Sequence, residues 1–432
     1  MDPIVIGIIG IGILLILIFS RTQIGVAMGL VGFAGFAYLN GGAPALGILK
    51  IVPYATFSQY DLSVIPLFIL MGALAFAAGL SEDLYRAVYT WLGHFRGGLA
   101  MATVGACACF AAISGSSLAT AATLGAVALP EMKKYNYDPA LATGSVAAGG
   151  SIGILIPPSV ILIIYGIITQ QSIGKLFLAG FIPGILEAVF YMITIAILTR
   201  INPRLGPRGP QTHFRDKMAA FLKTWEVIVL FLLVIGGIYL GIFTPSEAAG
   251  VGAFGAFIFG LLRKKLTWRG FKDSLINTGG TTGMLFLIIL GAMILGYFLS
   301  VARLPSELAN FVSGLAVNRY IILLLVLVVF LLLGCVMDSM AIVLLTVPIF
   351  FPLIVHLGFD PIWFGILVVR LTEMGLITPP VGLNVYIIKG VSDVPMETIF
   401  RGTIPFLIAD ACEVALLIAI PQLSLFLPSL MK

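Results

Sequence analysis

Long apolar runs separated by short polar breaks dominate the chain, and their lengths predict membrane-crossing helices. A span needs about 20 apolar residues to cover roughly 30 Å of hydrocarbon. Eight runs qualify: 4–20, 23–40, 62–80, 176–199, 221–243, 246–262, 280–300 and 402–427. Two more, 139–169 and 361–388, are each interrupted by a Pro-Pro pair, Pro157-Pro158 and Pro379-Pro380. The stretches 97–134 and 319–356 break instead at Ser114–Ser117 and at Met337–Met340. Arms of about 17 residues in 97–134 are short for full spans, so re-entrant hairpins fit better. Segment 81–96 is amphipathic, with Ser81 as N-cap ahead of Glu82 and Asp83, and predicts an interfacial helix. Segment 301–318 is read as a second surface piece. The pattern gives ten spans and two hairpins.

The breaks repeat. Ser116 and Asp338, Pro130 and Pro352, Asp138 and Asp360, Gly153 and Gly375, and Pro157 and Pro379 each lie 222 positions apart. Five landmarks aligned without a gap mark an internal duplication. It divides the chain into a first repeat at 1–199, a connector at 200–217 and a second repeat at 218–432. A Pro-Pro pair removes two backbone donors and clashes with the preceding turn, so no helix runs through it undisturbed. Hydrocarbon offers no partner for the freed groups, so a broken helix must be enclosed by protein or line a cavity. Interrupted apolar segments at matching places in two halves point to a transporter's binding site.

Composition agrees. Of 432 residues, 60% are hydrophobic and 10% charged, and the mean hydropathy of +1.13 excludes a soluble domain. The 49 glycines include Gly25, Gly29, Gly32 and Gly35, at spacings suited to close helix packing. A net charge of +5 placed in short loops suits membrane orientation and not nucleic-acid binding. Cys107, Cys109, Cys335 and Cys412 lie in apolar segments, and the three histidines are scattered, so neither metal-ligand spacing nor an enzyme's Ser/His or His/Glu constellation is present. No Walker A sequence occurs. Residues 4–19 follow Asp2 and no basic region, which reads as a retained span.

The connector 200–217 carries five basic residues against one acid and is expected in the cytoplasm with the basic loop 263–269. That choice makes the two hairpins enter from opposite faces, so the repeats are inverted. Both termini then lie outside, with Arg303, Arg319 and Lys50 as exceptions to the charge bias.

The residues able to carry chemistry follow from the breaks. In the first cluster the hydroxyls of Ser114, Ser116 and Ser117 oppose backbone at Gly150, Gly153, Ile156 and Pro157. In the second, Asp338 and Ser339, near Gly334, oppose Met374, Gly375 and Thr378. Oxygen-only donor sets without a carboxylate cluster suit a hard monovalent ion, so Na⁺ is expected. An intramembrane carboxylate such as Asp338 is functional by default. Arg370 and Glu373 sit three apart and either pair with each other or leave Arg370 to receive a substrate's acidic group. Substrate contacts are expected at Arg370, Ser117, Pro158, Pro380 and Asn384, while Glu187, Glu247, Asp410 and Glu413 are read as structural partners.

Ile113-Ser-Gly-Ser-Ser117 with Gly153-Ile-Leu-Ile-Pro-Pro-Ser159 resembles the large membrane subunit of tripartite ATP-independent periplasmic (TRAP) transporters. So do Met337-Asp-Ser339, Leu345-Thr-Val-Pro-Ile-Phe-Phe-Pro352 and Ile377-Thr-Pro-Pro-Val-Gly-Leu-Asn384. The resemblance covers essentially the whole chain. It implies an all-α, elevator-type secondary transporter of the bacterial inner membrane, driven by Na⁺. It also implies a small four-helix membrane subunit, a periplasmic substrate-binding protein and sodium at the two clusters. The cargo would be a small organic anion, a carboxylate or sulfonate. The rival readings are a stand-alone Na⁺-coupled anion transporter and, in another class, an ion channel.

Overall fold

The computed structural model describes residues 2–313 and 317–431. Among them there are helices and no strands, so the all-helical membrane architecture holds. The first half runs α1 (Pro3–Phe19), α2 (Ile24–Asn40), α3 (Gly42–Phe57), α4 (Val64–Ala77) and α5 (Leu80–Leu92). Next come α6 (Gly98–Ser114), α7 (Ser117–Lys134), α8 (Pro139–Leu155), α9 (Val160–Thr169) and α10 (Ile173–Ile201). After α11 (Phe214–Leu222), α12 (Trp225–Phe231) passes through a π-turn at Leu232–Gly236 into α13 (Gly237–Tyr239). The order then continues with α14 (Pro245–Leu262), α15 (Trp268–Val301), α16 (Leu304–Ser313), α17 (Arg319–Gly334) and α18 (Ser339–His356). The chain closes with α19 (Pro361–Leu376), α20 (Leu383–Val391), α21 (Met396–Ala419) and α22 (Gln422–Leu430).

Capping explains why equivalent elements start at equivalent places. Asp138 Oδ1 accepts from Ala140 N at 2.9 Å and Leu141 N at 3.1 Å, with Pro139 opening α8. Asp360 repeats this for α19, accepting from Ile362 N at 2.8 Å and Trp363 N at 2.9 Å. Proline is favoured at a first helical position because its missing N–H would be unpaired there anyway.

Three expectations need correcting. Residues 42–57, given no element in the sequence pattern, form α3 despite Pro44 and Pro53. The span placed at 280–300 begins at Trp268 and is one helix of 34 residues, so α15 fuses the counterparts of α3 and α4. The final span, placed at 402–427, starts at Met396 and stops at Ala419, because Pro421 ends it before α22. The connector is held by backbone bonds: Gly97 N donates to Gly206 O at 2.9 Å, Asp138 N to Leu205 O at 3.0 Å, and its last residues enter α11. Of segment 301–318, positions 314–316 lie outside the described residues. Among the described residues, six helices are long and apolar enough to cross a membrane, or eight with each bent pair as one span, against ten expected. The difference lies partly in α1 and α2, which have 17 residues each.

Two groups of helices emerge. In one, α2 lies against α15 at very close range: a Cβ on Gly25 would sit 2.6 Å from Leu287 O, and one on Gly32 2.6 Å from Leu295 N. Only glycine permits that approach. The same group holds α1, α4 and α14, and Arg263 clasps it to α5 by pairing with Asp83 and Glu226. The other group packs both hairpins, both broken helices, α10 and α21 together, the first hairpin on α8 and the second on α19.

The ends of the broken helices show how the halves are turned. Past the Pro157-Pro158 break the chain bends by 40° and runs on, so α9 ends far from the base of the first hairpin. There Tyr165 Oη donates to Pro361 O at 2.6 Å, beside the base of the second hairpin. Conversely, Val391 at the end of α20 lines a cavity with Lys133, Tyr137 and Pro139 at the base of the first hairpin. The two hairpin bases therefore lie at opposite ends of the group, and their tips meet between.

Candidate functional site

Each hairpin tip is backed onto the proline break of its own repeat. In the first, α6 ends at Ser114, Gly115 takes a left-handed φ of 60°, and Ser116 caps α7 by accepting from Ala119 N at 3.4 Å. A side chain on Gly115 would lie 2.7 Å from Pro158 O, and one on Gly153 would lie 3.0 Å from Ser116 O. Tip and break therefore touch backbone to backbone. Ser114 Oγ is 2.8 Å from Thr120 Oγ1, which donates to Ser116 O at 2.8 Å. Pro157 and Pro158 lack the N–H groups that would pair with Gly153 O and Ile154 O, so carbonyl oxygen is freed at the end of α8. Sequence reasoning did not name Thr120; its place one helical turn beyond Ser116 was the available signal.

The second cluster repeats the plan with different chemistry. Asp338 caps α18, accepting from Met340 N at 3.2 Å. Gly334 and Gly375 meet backbone to backbone, and Val381 N donates to Cys335 O at 3.2 Å. Thr378 Oγ1 donates to Met374 O at 2.7 Å and keeps its lone pairs, while Thr378 N donates to Gly375 O at 3.0 Å. Pro379 and Pro380 are exposed, whereas Pro157 and Pro158 are buried. Hydroxyl, carboxylate and carbonyl oxygens are the donors a hard monovalent cation takes. Among the described residues no group of His, Cys, Asp or Glu is gathered as a multidentate metal site.

Three residues depart from their expected contacts. Ser117 turns away from the first break toward Glu373, to which its repeat equivalent Ser339 donates through Oγ at 2.8 Å. Arg370 does not pair with Glu373. Its guanidinium is fully buried and faces Glu187 at 3.1 Å, Glu413 at 2.8 Å and Asp410, so three acids of this chain already occupy its reach in this conformation. The three acids, read as structural partners, converge on it because α10, α19 and α21 pack side by side. Asn384 Nδ2 donates to Ala147 O at 3.2 Å and joins the two repeats.

A cavity of about 570 Å³ opens between the first hairpin tip and the other helix group. Ser114, Ser116 and Met340 line one wall, and Lys265, Asp273, Asn277 and Thr281 the other. Asp273, Asn277 and Thr281 recur every four residues, which puts a polar stripe on one face of α15. Pro158 and Ser117 do not line it.

Comparison with known proteins agrees with these motifs. The family described as "Tripartite ATP-independent periplasmic transporter, DctM component" matches residues 11–423. The C4-dicarboxylate TRAP transporter large permease protein DctM of Pseudomonas aeruginosa is 38% identical over 382 residues, covering 88% of this chain and 89% of that one. The isethionate TRAP transporter permease protein DctMQ of Oleidesulfovibrio alaskensis is 32% identical, covering 96% of this chain and 64% of its own length. The YdaH transporter of Alcanivorax borkumensis shares the fold, with a TM-score of 0.64 at 16% identity over 88% of this chain and 89% of that one. The chain is a multi-pass membrane protein and belongs to the DctM family of TRAP transporter large permeases.

Proposed function

We propose that this chain is the large membrane subunit of a Na⁺-coupled importer of a small organic anion, a carboxylate or sulfonate, in a bacterial inner membrane. A small four-helix membrane subunit and a periplasmic binding protein complete it, and the binding protein delivers the anion. The observation that carries this reading is the duplicated contact of a polar hairpin tip with a proline-broken helix, with Ser114 and Ser116 of one tip and Met340 of the other lining one cavity. The named cargoes of the two relatives, a C4-dicarboxylate and isethionate, share the anionic class.

Sodium would be held at Ser114, Ser116, Gly150, Gly153, Ile156 and Pro157 in the first cluster. In the second it would be held at Gly334, Asp338, Ser339, Met374, Gly375 and Thr378. Entry of the cation ties each tip to its break and removes repulsion toward an anion at the cavity. The group built on α8 then slides as a body against α2, α4, α14 and α15, carrying the anion past Asn277 and Thr281. With the basic loop 263–269 in the cytoplasm, the cavity beside Lys265 opens inward and both termini lie outside. Each net positive charge moved releases about 2.3 kcal/mol per 100 mV. Each tenfold ion gradient adds about 1.4 kcal/mol per ion. Two Na⁺ with one monoanion thus concentrate solute without ATP.

The test is uptake of labelled C4-dicarboxylate or isethionate into proteoliposomes holding both membrane subunits, with the binding protein outside. Uptake is expected only with an inward Na⁺ gradient and only with the binding protein present. Uptake without the binding protein would favour the stand-alone transporter, and uptake indifferent to Na⁺ would overturn the coupling.

A further inference from the structure

The acids around Arg370 outnumber it three to one. Arg370 Nη1 lies 3.1 Å from Glu187 Oε1, Nη2 contacts Asp410 Oδ1, and Nε donates to Glu413 Oε2 at 2.8 Å. All four side chains are at most 1% exposed, and among the described residues no second basic group pairs with the acids. The remaining oxygens, Glu187 Oε2, Asp410 Oδ2 and Glu413 Oε1, are buried without a hydrogen-bond partner. Fully ionised, the cluster would carry two uncompensated negative charges in a sealed site, at several kcal/mol each.

The surrounding donors are unevenly shared. On α8, Ser151 Oγ lies 2.9 Å from Glu187 Oε1 and 3.2 Å from Tyr191 Oη on α10. Tyr191 stands next to both Glu187 and Asp410, on the side of the cluster away from Glu413. On α19, Glu373 faces Ser117 and Ser339 and adds a further acid without a base. Glu413 has a single donor, Arg370 Nε, and its other oxygen has none. Nearby hydroxyl donors favour the charged form of a carboxylate, so the acid with no hydroxyl beside it, Glu413, gives up its charge first.

We propose that Glu413 is a proton-binding site: it holds a proton at neutral pH, while Glu187 and Asp410 share Arg370. The proton brings the cluster one charge closer to neutrality, in the helix group that the proposed transport cycle moves.

Infrared difference spectroscopy on the full-length protein in nanodiscs, wild type against Glu413→Gln, tests this. At neutral pH the wild type is expected to show the carbonyl band of a protonated carboxylic acid that the variant lacks. The amide copies the protonated form, so the variant keeps wild-type melting temperature and uptake. Raising the pH should bleach the band and lower uptake in the wild type, with uptake in the variant persisting to higher pH. Glu413→Asp, should the amide fail to fold, is expected to shift the band. An unchanged carboxylic band in both variants overturns the proposal, whatever happens to Na⁺ coupling. So does a Glu413→Gln protein that melts as low as Arg370→Met, since an ionised Glu413 would then be holding Arg370.

Discussion

Asp338 serves the fold and the proposed cation site through the same carboxylate, and the two roles separate by substitution. It caps α18 through Met340 N at 3.2 Å. Asparagine caps as well as aspartate, whereas alanine removes the cap at about 1 kcal/mol. Both Asp338→Asn and Asp338→Ala are expected to lose Na⁺-stimulated uptake while inserting normally, measured in proteoliposomes against membrane yield. If Asp338→Asn transports at the wild-type rate, its charge plays no part. Glu373 stands beside it, accepting from Ser339 of the second hairpin with Ser117 of the first nearby. Ser339→Ala removes a donor to this buried acid and is expected to lower stability by about 1–3 kcal/mol, read from the melting temperature.

Helix contacts set what the elements tolerate. At the crossing of α8 and α21, a Cβ on Gly402 would fall on the Ala140 carbonyl. Gly402→Val is therefore expected to destabilise by about 3 kcal/mol, visible as a lowered melting temperature. The base of the first hairpin is tied to the connector by Tyr137, whose hydroxyl donates to Pro207 O at 2.9 Å and accepts from Leu99 N at 3.1 Å. Burial pushes the Tyr137 hydroxyl up to about 12. A group whose folded value is raised contributes stability that is present below its unfolded value, about 10. That contribution is lost as pH climbs from there through the folded value. Tyr137→Phe is expected to cost about 1 kcal/mol at neutral pH and to abolish this alkaline loss, measured by melting curves across that pH window.

At the scale of the whole molecule, the opposed hairpin bases place exposed Lys134 and exposed His356 at opposite ends of one helix group. Single cysteines at these positions, in a background freed of native cysteines, are expected to react with an impermeant reagent from opposite sides. Lys134→Cys should label from the cytoplasm and His356→Cys from outside in sidedness-controlled vesicles. Labelling of both from one side would remove the inversion. Close packing of α2 on α15 gives the other helix group a spine against which the sliding body proposed above would have a fixed reference.

Spacing and residue chemistry were enough for the membrane class, the duplication and both tip-to-break contacts, because these rest on local rules. Proline lacks an N–H, serine and aspartate cap helices, and a 222-residue shift is visible by eye. Helix α3 was hidden because glycine and proline locally resemble a loop, and its packing against α2 and α15 overrides that signal. The partners of Arg370 could not be read either. Two choices three positions apart looked like an internal pair, yet Glu187, Asp410 and Glu413 come from helices up to 183 positions away. The direction in which a buried charge points depends on which helices lie against its face, and only the tertiary structure decides that.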